Sequence, residues 1–302
     1  MPQTNAFDSD SLQQIVEAAS RAAALSADGA RLLRIGENAI YRLAHDPVVV
    51  RIARSAARMD TARRELCVAR WLDRNAVPTI KVHEVADQPL LIEGHPVTFW
   101  RAVSGPQDGD RSPDRTDLAR LLLAFHGAKD CPCELPAMDP SSWAKVEERI
   151  SAATGIDADA REFLSARNAE LAEKVKNLDY ALPRGPIHAD AYTGNLLIDD
   201  GVIVLSDYEG VSIGPREWDL LPTAVAVDRY GLPEEEYREF VDIYGFDVRE
   251  WSGYRTLRQV RELGMTTWLM QNVNTDPAIA EEFTVRLSSL RESEFERRWR
   301  LF

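Results

Sequence analysis

Apolar residues recur at helical spacing between Ser11 and Leu25 (Leu12, Ile15, Val16, Ala19, Ala23), which predicts an amphipathic helix. The texture then changes to short apolar runs, Leu32 to Ile35, Ala39 to Leu43 and Val48 to Ile52. Turn-forming residues punctuate them at Gly36-Glu37-Asn38 and His45-Asp46-Pro47. Connections this short predict an antiparallel meander. Met59 to Arg74 is helical again, with Leu66, Ala69 and Leu72 on one face, and Ile80 to Val85 and Pro96 to Val103 read as two more strands. The stretch from Ser104 to Pro113 is rich in Gly, Pro and Asp and has no period, so it marks a boundary.

Beyond Asp114 the pattern is mainly helical: Leu118 to Ala128, Trp143 to Ser151 and Ala158 to Leu178, then Glu217 to Val227, Glu234 to Tyr244, Tyr254 to Asn272 and Pro277 to Arg300. Only Gly185 to Gly210 breaks it, and that stretch holds the densest polar cluster of the chain. A sheet-rich first third followed by a helical remainder is an α+β pattern of two lobes. The expected division is 1–103, a linker at 104–114, and 115–302.

A chain of 302 residues is long enough to split its core in two. Its 45% hydrophobic and 28% charged residues exclude disorder and fibrous classes. The net charge of −13 argues against nucleic-acid and anionic-membrane partners, which need a basic footprint. Met1 to Asp10 lacks the apolar core of a secretory signal, and no stretch approaches the roughly 18 apolar residues of a spanning helix. The expectation is therefore a cytoplasmic protein. Cys67, Cys131 and Cys133 lack the second ligand pair of a zinc site and are expected to be unpaired thiols in a reducing compartment.

The polar cluster carries the chemistry. It runs Pro186-Ile187-His188-Ala189-Asp190-Ala191-Tyr192-Thr193-Gly194-Asn195, then an apolar run, an Asp199-Asp200-Gly201 turn, a second apolar run and Asp207-Tyr208-Glu209. The turn predicts a hairpin that brings Asn195 close to Asp207. Phosphoryl transfer needs an oxygen base or orienter at the acceptor hydroxyl and hard oxygen ligands to hold Mg²⁺ against phosphates. The H-x-D-x-x-x-x-N spacing followed by an Asp after a short hairpin matches that need. Asp190 takes the orienting role, with Asn195 and Asp207 as metal ligands. His188 either positions the loop through backbone hydrogen bonds or acts as a general base; the first is preferred because Asp190 already fills the base position.

In these residues the sequence resembles the aminoglycoside phosphotransferase and choline kinase superfamily, small-molecule relatives of the protein kinases. The match is strongest from Asp190 to Asp219, including Gly214-Pro215-Arg216-Glu217-Trp218-Asp219, and extends over nearly the whole chain. The resemblance implies a bilobal kinase-like fold, a nucleotide cleft that takes ATP or GTP, and a helical lobe that shapes the acceptor site. It implies that Asp219 braces the catalytic loop, and it puts Arg51 where relatives carry a phosphate-binding Lys, with Glu65 as its partner. Arg51 is alternatively a surface residue at a strand edge. Asn38, in a loop with a single glycine, is carried as a phosphate contact. Trp100 and Val103 belong to a stretch read either as backbone that meets the base or as plain core strand. The departures are Tyr192, where many relatives place His, and Tyr208 in place of Phe or Trp. Glu209 either reaches metal through water or faces solvent. Only Tyr208 to Pro215 separate Asp207 from the next helix, which leaves no room for a peptide-docking activation segment. The acceptor is therefore a small molecule.

Between Glu217 and Glu250 ten acids stand against three arginines, which reads either as steering for a cationic acceptor or as a solvated helix face. Asp228, Glu262 and Trp268 are the candidate acceptor contacts. The leading expectation is an antibiotic O-phosphotransferase acting on an aminoglycoside or another hydroxylated, cationic antibiotic of peptide or nucleoside type. A metabolic kinase for a small alcohol such as choline or an amino sugar is the alternative. A nucleotide-binding pseudokinase is the third reading, disfavoured by the complete set Asp190, Asn195 and Asp207. The sequence leaves the oligomeric state open.

Overall fold

The computed structural model describes residues 9–85, 87–143, 145–292 and 298–302. The chain forms two compact units. One comprises Met1–Pro113, Gly127–Leu135 and Gly194–Val211; the other comprises Asp114–His126, Pro136–Thr193 and Ser212–Phe302.

The first unit opens with α1 (Ser9–Ala22), followed by β1 (Arg31–Ile35), β2 (Asn38–Arg42) and β3 (Val48–Ala53). Helix α2 (Met59–Arg74) comes next, then β4 (Leu90–Ile92) and β5 (His95–Arg101). The strands make one antiparallel sheet in the order β1-β2-β3-β5-β4. Leu12, Ile15, Val16 and Ala19 of α1 share a core with Val48, Val50 and Ile52 of β3 and Val97 and Phe99 of β5. Side chains alternate along a strand, so Val49 and Arg51 point to the opposite face of the sheet.

The expected strand over Ile80 to Val85 does not form. That segment lies along β5 with irregular pairing: Val82 makes an isolated bridge to Trp100, and His83 donates to the Phe99 carbonyl at 3.0 Å. The ladder on this edge of β5 is made instead by β4, paired opposite His95, Pro96 and Val97.

The chain continues through α3 (Arg115–Gly127), α4 (Pro140–Trp143), α5 (Val146–Ala152) and α6 (Ala158–Lys176) to β6 (Arg184–Ile187). The single helix expected from Trp143 to Ser151 is thus two short ones, with Ala144 outside the described residues. A hairpin of β7 (Leu196–Asp199) and β8 (Val202–Leu205) then joins the first unit. Its turn residues Asp200 and Gly201 have φ of 48° and 76°, the positive pair that a two-residue turn matching strand twist demands. The unit division therefore differs from a simple sequential split, because this hairpin and Gly127–Leu135 both belong with the sheet.

In the second unit β9 (Ser212–Pro215) pairs with β6, a short ladder the sequence pattern does not announce. Gly214 packs closely there: a Cβ would lie 2.4 Å from the Ile187 Cδ1, so that buried side chain would have to shift. Helices α7 (Glu217–Tyr230), α8 (Glu234–Tyr244), α9 (Tyr254–Leu269) and α10 (Pro277–Glu292) complete the unit. The expected extension of the last helix to Arg300 runs through 293–297, outside the described residues, as do positions 1–8 at the amino end.

The expectation for the cysteines is overturned. Cys67 of α2 and Cys133 form a disulfide with Cα atoms 5.8 Å apart, and only Cys131 is a free thiol. The pairing closes over 66 residues of sequence, so spacing gave no sign of it. What aligns the two is the docking of the 127–135 segment on α2: the Trp71 Nε1–H donates to the Lys129 carbonyl at 2.7 Å, and the Lys129 N–H donates to Asn75 at 2.9 Å. The cytoplasmic expectation loses the support it drew from unpaired thiols. Among the described residues no helix is long and apolar enough to cross a membrane.

Candidate active site

Within the sheet unit an open cleft of about 1310 Å³ is lined by Leu33, Ile40, Val49, Ile80, Trp100 and Val103 along one stretch. Asn38, Arg51, Asn195, Ser206, Asp207 and Glu209 make its polar end. Hairpin closure puts the last group together. The Ser206 N–H and Oγ–H both donate to the Asn195 carbonyl, at 3.0 and 2.8 Å, tying the entry of β7 to the exit of β8. Asp207 follows at φ 65°, a left-handed conformation that a non-glycine residue adopts at a cost. Tyr208 behind it is buried, its hydroxyl donating to the Leu205 carbonyl at 2.6 Å and bonded also to Thr79. An aromatic that fills the core here anchors the turn whether or not it is Phe.

Arg51 faces this cleft, because the β3 register opposes it to Ile40 and Thr98 while its neighbours Val50 and Ile52 turn under α1. Its Nη1 lies 2.9 Å from Glu65 Oε2, on α2. With the Asn38 amide turned so that its oxygen meets the guanidinium, Asn38 accepts from Arg51 Nη2 at 2.8 Å and Nε at 3.0 Å. Asn38 thus orients Arg51. Burial pushes the Glu65 carboxyl up to about 7; Arg51 opposes this, and the carboxylates of Glu209 and Asp207 add to it.

Glu209 neither faces solvent freely nor stands alone. Its carboxylate lies 2.5 Å from Arg58 and 3.7 Å from Arg51, and its carbonyl accepts from Arg64 at 3.2 Å. Arg58 also pairs with Glu37 of the β1–β2 turn at 2.9 Å. Sequence reasoning passed over Arg58, just before α2, and Arg64 on it. Their spacing of six residues carries no signal, and only the Asp207-Tyr208-Glu209 turn gives them a partner.

In the helical unit the His188-Ala189-Asp190 segment is gripped from behind. Asp219 accepts from the His188 and Ala189 N–H groups at 2.7 and 2.8 Å, and His126 Nε2 lies 3.0 Å from the same carboxylate. The Trp218 indole N–H donates to the Ala189 carbonyl at 3.1 Å. These contacts hold Ala189 at φ 67° and leave the Asp190 side chain 51% exposed. The His188 ring is buried completely, against Phe125. Of the two readings of His188, a ring without access to solvent accords with loop positioning rather than with a general base. His126, which no sequence spacing linked to the site, works through Asp219.

Asp228 and Glu262, the candidate acceptor contacts, sit in an arginine network of the helical unit. Glu262 is 1% exposed, and its Oε1 lies 2.7 Å from both Arg229 Nε and Arg258 Nε. Asp228 lies 2.5 Å from Arg258 and accepts from the Tyr254 hydroxyl at 2.6 Å. Both carboxylates are consumed by arginines of their own unit. Trp268 is 40% exposed on α9, and Trp251 stacks on Tyr180.

Among the described residues no cluster of three or more His, Cys, Asp or Glu side chains forms a self-sufficient metal cage. The two oxygen donors Asn195 and Asp207 on one cleft wall nevertheless suit Mg²⁺, which keeps waters and phosphate oxygens in most of its shell.

A family model described as the phosphotransferase enzyme family (APH) matches residues 30–299. No curated protein matches the sequence significantly. Among solved structures, the chain is similar to amicoumacin kinase hAmiN in complex with AMP-PNP, Ca²⁺ and Ami, at TM-score 0.74 and 14% identity over 94% of each chain. It is similar to a microcompartment-associated aminopropanol kinase at TM-score 0.72 and 18% identity, over 96% of this chain and 99% of the other. Choline kinase LicA from Streptococcus pneumoniae follows at TM-score 0.65 and 15% identity, over 93% and 98%.

Proposed function

The chain belongs to the phosphotransferase enzyme family, and from that premise we propose that it moves the γ-phosphate of ATP or GTP to a hydroxyl of a small antibiotic molecule. The observation that carries the kinase reading is the cleft whose polar end joins Asn195, Asp207 and the Arg51–Glu65 pair. Arg51, held by Glu65 and Asn38, binds phosphate oxygens with the reach of a planar guanidinium. Asn195 and Asp207 would hold Mg²⁺, which would supply charge neutralisation for the transferring phosphate. Asp190 orients the acceptor hydroxyl and receives its proton as the new O–P bond forms and the bond to the leaving nucleotide breaks. The brevity of the path from Asp207 to α7, with β9 occupying half of it, supports a small acceptor over a peptide.

The antibiotic acceptor, an aminoglycoside or another hydroxylated compound of peptide or nucleoside type, is motivated by the fold shared with an amicoumacin kinase. A metabolic kinase for a small alcohol is the second reading. The fold shared with an aminopropanol kinase and a choline kinase motivates it.

The deciding experiment is a mass-spectrometric screen for a phosphate mass gain across antibiotics, choline, aminopropanol and amino sugars, with ATP and GTP in parallel. A gain on an antibiotic, with resistance in expressing cells, is expected. Phosphorylation confined to choline or aminopropanol selects the second reading. Asp207→Ala is expected to lower transfer by about a thousandfold. Turnover unchanged in that variant would defeat the kinase mechanism.

A further inference from the structure

Beneath the exposed Asp190, within the same unit, lies a buried arginine. Arg261 of α9 is 7% exposed, and its Nη2 is 3.8 Å from Asp190 Oδ1. Its guanidinium also sits over the Trp218 ring, 5.8 Å from the centroid. That ring is the one whose N–H grips the Ala189 carbonyl, so a single side chain touches both Asp190 and the anchor of the peptide before it. Burying a guanidinium is costly unless an anion compensates it. Burial pushes the Arg261 pKa down, and Asp190 leads the groups that oppose the shift, ahead of Tyr230 and Asp219.

The geometry separates this pair from its neighbours on α9. Arg258 and Glu262 close on each other with both partners buried, which is how an ion pair that only holds a fold together looks. In the Arg261 pair one partner is buried and the other is presented, with 9% and 51% of their side chains exposed. A rigid cation under a presented carboxylate aims it. Displacements of about 1 Å at a reacting group cost on the order of a hundredfold in rate, so aiming is worth the burial.

We propose that Arg261 is a positioning residue for phosphoryl transfer, fixing the Asp190 carboxylate in the orientation that receives the acceptor hydroxyl. This rests on the reading of Asp190 given above. It adds a residue that lies 71 positions further along the chain than Asp190, outside the motif that singled Asp190 out.

The test uses the full chain with Mg²⁺ and ATP, water standing in for the acceptor, and follows the intrinsic release of phosphate. Arg261→Gln is expected to lower kcat by about tenfold to a hundredfold while KM for ATP stays within about twofold. Arg261→Lys keeps a cation and recovers part of the loss. In an Asp190→Asn background, Arg261→Gln causes no further loss, because the carboxylate it aims is gone. Equal loss with and without Asp190, or a changed melting temperature at unchanged kcat, would overturn the inference and leave the Asp190 assignment standing. Phosphate release untouched by Asp190→Asn would instead bring down the Asp190 assignment, and the inference with it. If Arg261→Gln does not fold, Arg261→Met, which removes the cation and keeps an apolar stem, decides: a kcat loss that vanishes over Asp190→Asn supports the proposal, and wild-type kcat refutes it.

Discussion

Each unit of this protein contains a network of arginines and carboxylates, and the two are built for opposite ends. In the sheet unit, Arg51 and Arg58 meet Glu65 and Glu209 at the polar end of a cleft. Arg51 keeps 17% of its side chain exposed, enough to offer N–H groups to a ligand. In the helical unit, Arg229 and Arg258 meet Glu262 and Asp228, and the Arg229–Glu262 pair is 1% exposed on each side. Identical chemistry thus lines an open cleft in one place and makes a sealed brace in the other. Burial and completeness of pairing make the difference, since a fully compensated buried ion has nothing left to offer a substrate.

Four measurements press on that contrast. The largest effect is expected at the sealed network. Glu262→Ala removes the buried carboxylate that both Arg229 and Arg258 meet and should destabilise the fold by about 3–5 kcal/mol in denaturant titration. In whatever remains folded, KM for the acceptor should be unchanged; a selective rise in that KM would return Glu262 to the acceptor site.

The pH dependence of Glu65 comes next. Its folded pKa of about 7 lies above the ordinary 4.5, so the folded chain holds this proton more tightly than the unfolded chain does. The stability from this group is therefore fully present below about pH 4.5 and is lost as pH rises through about 7. The full span is on the order of 3 kcal/mol. Melting curves of the wild type and Glu65→Gln should converge or cross over that window, and parallel curves would contradict the shift.

Arg51→Ala should raise KM for ATP by about tenfold to a hundredfold, the value of charge-assisted hydrogen bonds to phosphate. Its melting temperature should move little, because the guanidinium is a ligand group more than a brace. The smallest effect belongs to Trp268→Ala on the exposed face of α9, expected within about 0.5 kcal/mol in stability. A change in acceptor KM there would identify an aromatic contact that leaves no trace in stability.

Where local chemistry sufficed, the sequence was a good guide. Helix α2 and helix α8 begin and end where the apolar period predicts, at Met59–Arg74 and Glu234–Tyr244. The β7–β8 hairpin follows from Asp200-Gly201, whose positive φ values few other pairs accept, and it carries Asn195 and Asp207 together as the spacing implied. The edge strand was misplaced because Ile80 to Val85 and Leu90 to Ile92 are both apolar enough to pair. Which one forms a ladder on β5 depends on the path of the chain between them, not on propensity. The β6–β9 pairing and the Cys67–Cys133 bond escaped for a related reason: each joins segments brought together only by packing.

The sequence by itself determined the class of chemistry here, because the spacing that resembles a kinase catalytic loop is local: His188, Asp190 and Asn195 in one segment, with Asp207 one hairpin later. It also determined the α+β organisation, since helical and strand periods are properties of short windows. Only the tertiary structure decided which charges are available. The apolar flanks of Arg51 fit either face of a strand, and α1 had to cover Val50 and Ile52 before Arg51 could face the cleft. Asp228 and Glu262 read as acceptor contacts, and Arg261 carries no local signal at all. Burial made the first two a brace and set the third beneath Asp190, because the worth of a charge depends on what surrounds it in space.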